Sequence, residues 1–130
     1  MLYLFSKNDI KTFSKKITAE DIASFDSGIV HPVYSTFALA RDAEWSGRLF
    51  VLEMKEEHEE GIGTFLHIHH KSPALVGTEI QIVSSFEEVT AKGEVITSFK
   101  VFANQRLLAE GQQGQRILPK EKIKQLFSSL

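Results

Sequence analysis

Helical spacing is sustained over only one long stretch of this chain, Phe37 to about Met54, and nearly everything from Gly61 to Ile117 reads as strand. Pro32 disfavours helix at the residue before it, and Ser35 or Thr36 is placed to cap the helix that follows. Ala40, Ala43, Gly47 and Val51 recur at three- and four-residue steps between Phe37, Leu39, Phe50 and Leu52. Such a stripe of small side chains lets a helix lie close against a sheet. The charged run Lys55 to Glu60 reads as a solvated helix end. Four strands are then expected, at Gly61 to His70, Thr78 to Val89, Glu94 to Ala103 and Leu107 to Ile117, joined by hairpin-length turns. A short first strand is expected over Lys11 to Thr18 and a polar connection of weak helical character over Ala19 to Ser27. Pro119 opens a final amphipathic segment, Lys120 to Leu130. These elements predict one α+β domain over residues 1–130, with about five antiparallel strands curled around one long central helix. The open sheet edges predict pairing between two copies.

Composition narrows the chemistry. A formal charge of -2, with lysines and arginines scattered, provides no basic footprint for nucleic acid. The absence of cysteine removes disulfides, thiolate nucleophiles and thiolate metal sites. The apolar run Met1 to Phe5 is too short for a signal peptide, and no later run approaches a membrane span, so a soluble cytoplasmic protein is expected.

Thr36, Glu44 and His70 bring a hydroxyl, a carboxylate and an imidazole, the usual tools of acyl transfer. The first two fall on the helical segment, and the third ends a strand. Each has an ordinary alternative: Thr36 as an N-cap, Glu44 as a solvated glutamate, His70 as a polar strand end. A carboxylate beside the small-residue stripe would be costly to bury without a partner, which favours a role for Glu44. His67 and His69 share one strand face, with His58 as a distant third, but a two-residue step supplies only part of a metal site, and no metal is expected.

The spacing of these residues resembles the hot-dog fold thioesterases, specifically the fluoroacetyl-CoA thioesterase-like group. Glu44 follows Thr36 by eight positions and precedes Trp45, and His70 lies 26 positions after Glu44. Gly63 and Gly77, the phrase Glu60-Gly-Ile-Gly-Thr64 and the late strand Ala109 to Ile117 are also similar to that group, over roughly residues 30 to 120. The resemblance implies a dimeric hot-dog domain, as a homodimer or higher oligomer, that hydrolyses a small acyl-CoA thioester. Coenzyme A then enters as part of the substrate, and no cofactor is needed.

In that reading Glu44 acts as nucleophile or general base, His70 as its acid/base partner, and Thr36 positions the acyl group or water. Backbone amides near Phe37 or at Gly63 would hold the oxyanion. A non-catalytic hot-dog module that binds acyl-CoA is the alternative, and a hot-dog dehydratase a more distant one. On one regular helix Thr36 and Glu44 would stand roughly 12 Å apart, so either the chain bends before the helix or the two residues meet from different protomers. Upstream, where the fluoroacetate-specific enzyme carries an aromatic lid, this chain has Ser27-Gly-Ile-Val30. That substitution argues for other short acyl groups.

Overall fold

In the computed structural model, which describes residues 1–130, helix α1 spans Thr36–Met54. Ser35 is its cap: the hydroxyl accepts from the Ala38 amide at 3.0 Å. Leu39, Ala43, Phe50, Val51 and Met54 are fully buried on one side of the helix, whereas Phe37 and Leu52 remain exposed. The buried side lies on a five-stranded antiparallel sheet formed by β1 (Ile10–Lys16), β4 (Glu59–His70), β5 (Glu79–Val89), β6 (Glu94–Ala103) and β7 (Arg106–Pro119). Spatial order is β1-β5-β6-β7-β4, so β1 and β4 are the edges, and α1 touches all five strands. This is the hot-dog arrangement.

The core has two parts along α1. Leu39 and Ala43 pack with Ile80, Ile82, Val101 and Leu108, while Phe50, Val51 and Met54 pack with Phe86, Val95 and Ile117. The second part is closed by the N-terminal segment: Phe5 meets Phe50 edge-on at 4.9 Å, and the Leu2 amide binds Met54 O. Helix α2 (Lys120–Ser128) buries no residue, and no helix is long and apolar enough to cross a membrane.

The region between β1 and α1 departs from expectation. Only Ala19–Asp21 is helical, a single 3-10 turn, and the chain then forms a two-stranded hairpin, β2 (Ile22–Phe25) with β3 (Gly28–Tyr34). Its register slips twice near Ala23, so there is no clean alternation for sequence reasoning to find. Pro32 is tolerated because it lies in the first slip, between the Ile22–Tyr34 and Ala23–His31 pairs, where the ladder needs no amide.

Buried charges tie the hairpin to the helix. The Asp21 carboxylate accepts from the Thr18 amide at 2.9 Å and from Arg41 at 2.7 Å, with Lys15 at 3.0 Å. Lys15 also reaches Asp42, which receives the Tyr34 hydroxyl at 2.5 Å. Burial alone would raise the Asp21 pKa, but the Thr18 amide, Arg41 and Lys15 outweigh it and hold the carboxyl well below its ordinary range. Burial, reinforced by Asp42, keeps Tyr34 protonated far above the usual phenol range. A carboxyl depressed in the folded state stabilises the fold in full above its unfolded pKa, and that contribution is lost as pH falls towards the folded value. Asp21→Asn is therefore expected to cost about 3 kcal/mol at neutral pH, with the gap to wild type narrowing only below about pH 4. Urea unfolding of both proteins across pH 2.5 to 7 checks this.

Candidate active site

Because Ser35 takes the capping role, the Thr36 hydroxyl is free for another partner. It meets His70 Nδ1 at 3.0 Å, across from the first turn of α1 to the last residue of β4. The other ring nitrogen of His70, Nε2, is buried without a partner. A threonine hydroxyl at Nδ1 fixes the ring's orientation and, able to donate or accept, serves the imidazole in either protonation state. The remaining nitrogen then faces whatever occupies the space beside it. Ser35 satisfies the Ala38 amide, so by helix geometry the first-turn donors left over are those of Thr36 and Phe37. Phe37 itself is exposed, and its ring lies edge-on to Phe25 at 5.5 Å.

Glu44 lies elsewhere. Thr36 begins a regular helix that continues through Glu44, so eight residues separate the two by about 12 Å along the axis and no bend removes that distance. Nor is Glu44 buried beside the small-residue stripe: it is exposed in the single chain, so the anticipated desolvation penalty is absent there. Arg48, its natural partner one turn on, is bound to Glu60 at 2.8 Å instead. The Glu44 carboxylate rests over Gly63, where an added β-carbon would fall 2.5 Å from Oε1. The candidate residues thus fall into two halves, Thr36 with His70 and Glu44 with Gly63.

Both halves lie on the helix-facing side of β4 although Gly63 and His70 are seven residues apart, an odd number that places strand residues on opposite faces. A bulge resolves this. Gly63 pairs with Gln115 and Phe65 with Gly114, leaving Thr64 unpaired. The alternation changes phase there, so Gly61 and Gly63 face α1 before the bulge, and Ile68 and His70 face inward after it.

Sequence reasoning noted the strand Ala109 to Ile117 without assigning its side chains. Two of its glutamines are buried beneath α1. Gln115 Nε2 donates to Glu44 O at 3.3 Å and to Gln113 Oε1 at 3.0 Å, and Gln113 donates to Thr97 Oγ1. The only signal was a run of amides on a core strand, which polarity alone reads as solvent-facing. Among metal-ligand types, Glu56, His58 and Glu59 converge, and the Met1 ammonium bridges the two glutamates at 2.8 Å. His58 is therefore far from His67 and His69, whose rings stand 5.0 Å apart.

The family model for fluoroacetyl-CoA-specific thioesterases matches residues 17–121. The chain belongs to that thioesterase family. It is a thioester hydrolase by membership. A Thermus thermophilus thioesterase superfamily member, a hypothetical protein, is 30% identical with a TM-score of 0.93, over 98% of this chain and 94% of the other. A hot-dog-like protein from Thermanaerovibrio acidaminovorans superposes at TM-score 0.87 with 16% identity, over 96% and 92%. The fluoroacetyl-CoA thioesterase FlK superposes at 0.86 with 12% identity, over 96% of each chain, a likeness of fold. No curated protein sequence matches the chain.

In this thioesterase, Gly63→Ala is expected to displace the Glu44 carboxylate by about 1 Å and lower kcat about a hundredfold. Thermal unfolding should change little, because the group moved is exposed. Thiol-release kinetics beside a melting curve test both parts.

Proposed function

We propose that this thioesterase hydrolyses short acyl-CoA thioesters in a site assembled from two chains, with Thr36 and His70 of one protomer facing Glu44 and Gly63 of its partner. The observation that carries the proposal is the separation of the half-sites on one straight helix, each incomplete alone. Edge strand β4 supports pairing: it bears exposed Phe65 and Leu66, and exposed Phe37 and Trp45 lie on the neighbouring helix. Antiparallel pairing of β4 with its copy turns the Gly63 end of one strand towards the His70 end of the other. Variants of FlK have been solved with fluoroacetate and CoA and with acetyl-CoA, ligands consistent with this substrate class.

Glu44 attacks the thioester carbon, giving an anhydride that water cleaves, or draws a proton from water that attacks there. In both routes the carbon–sulfur bond breaks and His70, starting protonated, gives its proton to the departing thiolate; the proton of the attacking water, taken by His70 directly or passed on from Glu44, restores it. Free amides at Thr36 and Phe37 lie at the positive end of α1, where a developing oxyanion is stabilised. Thr36 steadies the imidazole through Nδ1.

Glu44→Ala and His70→Ala proteins should each release almost no thiol from acetyl-CoA. Unfolded, refolded and mixed in equal amounts, they should regain about a quarter of wild-type activity, since half the dimers are mixed and each of those keeps one intact site. A mixture as inactive as its components would sink the two-chain site. Coenzyme A binding with no thiol release from wild type would favour a binding module instead.

The segment Ser27 to Val30 is the turn and opening of β3, with Ile29 and Val30 exposed. Ile29 and Val30 offer no polar group that could recognise fluorine. Across acetyl-, propionyl-, butyryl- and fluoroacetyl-CoA, kcat/KM for the fluorinated ester should lie within about tenfold of that for acetyl-CoA, since shape alone discriminates weakly.

A further inference from the structure

We propose that Gln115 is a positioning residue for Glu44, fixing the height and rotation of that carboxylate over Gly63 through a buried amide relay. The inference rests on the reading of Glu44 as the carboxylate of the reaction, and it adds a residue that this reading does not contain.

Three observations triangulate the glutamate. Its carboxylate lies over Gly63, its backbone carbonyl accepts from Gln115 Nε2 at 3.3 Å, and Gly63 and Gln115 are cross-strand partners on β4 and β7. Gln115 therefore grips Glu44 from behind while flanking the glycine beneath its side chain. A carbonyl inside a helix already accepts the amide four residues on, so this contact is additional and ties one helical turn to the sheet.

The relay has a fixed direction. Glu44 O can only accept, so the Gln115 amide must present its NH2 group there. Its second hydrogen goes to Gln113 Oε1, which turns the Gln113 NH2 group towards Thr97 Oγ1. Gln113 and Thr97 are fully inaccessible to solvent, and Gln115 nearly so. Two glutamine amides are costly to bury unless each finds partners, and this chain of bonds supplies them. Space for it comes from Gly47: a β-carbon there would fall 2.0 Å from Gln113 Nε2.

The test uses tag-free full-length wild type, Gln115→Met, which keeps length without donors, and Gln113→Met/Gln115→Met, which leaves no orphaned amide oxygen. Both variants should lower kcat for the best acyl-CoA about tenfold or more with KM within about twofold, the split expected when alignment and not binding is lost. The second measurement is the Gly63 amide resonance in 15N NMR. In wild type it should move as the Glu44 carboxylate titrates, with Glu44→Gln as the control that abolishes the movement, and Gln115→Met should reduce that movement by at least half.

An unchanged Gly63 titration in a folded variant overturns the positioning role whatever the rate does, as does a kcat within twofold of wild type. Should wild type hydrolyse no CoA thioester, the functional reading fails, and the Gly63 titration still decides this inference separately. If the single variant unfolds, the double variant carries both measurements.

Discussion

Helix α1 can touch all five strands only because almost nothing projects from its buried side between Ala43 and Gly47. Where a side chain is missing at Gly47, Gln113 rises from the sheet to fill the space. The contact is thus partly apolar, as the stripe of small residues foretold, and partly a line of amides that the stripe gave no hint of. Both halves of the candidate site hang from this contact. The first turn of α1 brings Thr36 to His70 at one end of β4, and its third turn brings Glu44 over Gly63 near the other.

The hairpin before the helix depends on a different force. It contributes little to the core, since most of β3 is exposed, and it is held instead by Asp21 and Asp42 with Lys15, Arg41 and Tyr34. Charge pairs of this kind are directional, so they set where the hairpin lies as well as that it stays. Phe25 is thereby carried onto Phe37, an aromatic pair beside the helix N-terminus that the residues Ser27 to Val30 did not announce.

Much of the fold was legible because the patterns were strong. The helix from Phe37 to Met54 and the alternation of Val95, Thr97, Phe99 and Val101 follow periodicities set by burial; the helix begins one residue earlier than expected and β6 spans the expected Glu94–Ala103. The hairpin was missed because two register slips in four residues erase alternation. At the site, Thr36, Glu44, His70 and, through the resemblance, Gly63 could be nominated one by one, but not their pairing as Thr36 with His70 and Glu44 with Gly63. Gln113 and Gln115 could not. Their burial is decided by what α1 lacks at Gly47, a fact about two elements far apart in sequence.

The unpaired Thr64 has a consequence for how this strand can change. Between Gly63 and His70, the side chains that face the helix are counted off in twos with one residue over. With the bulge retained, loss or gain of a single residue elsewhere in the stretch would send either the glycine or the imidazole to the opposite face of the sheet, whereas loss of the unpaired residue itself would leave an even, unbulged span that keeps both inward. The length of this stretch and its bulge must therefore change together, a stricter condition than any on its composition.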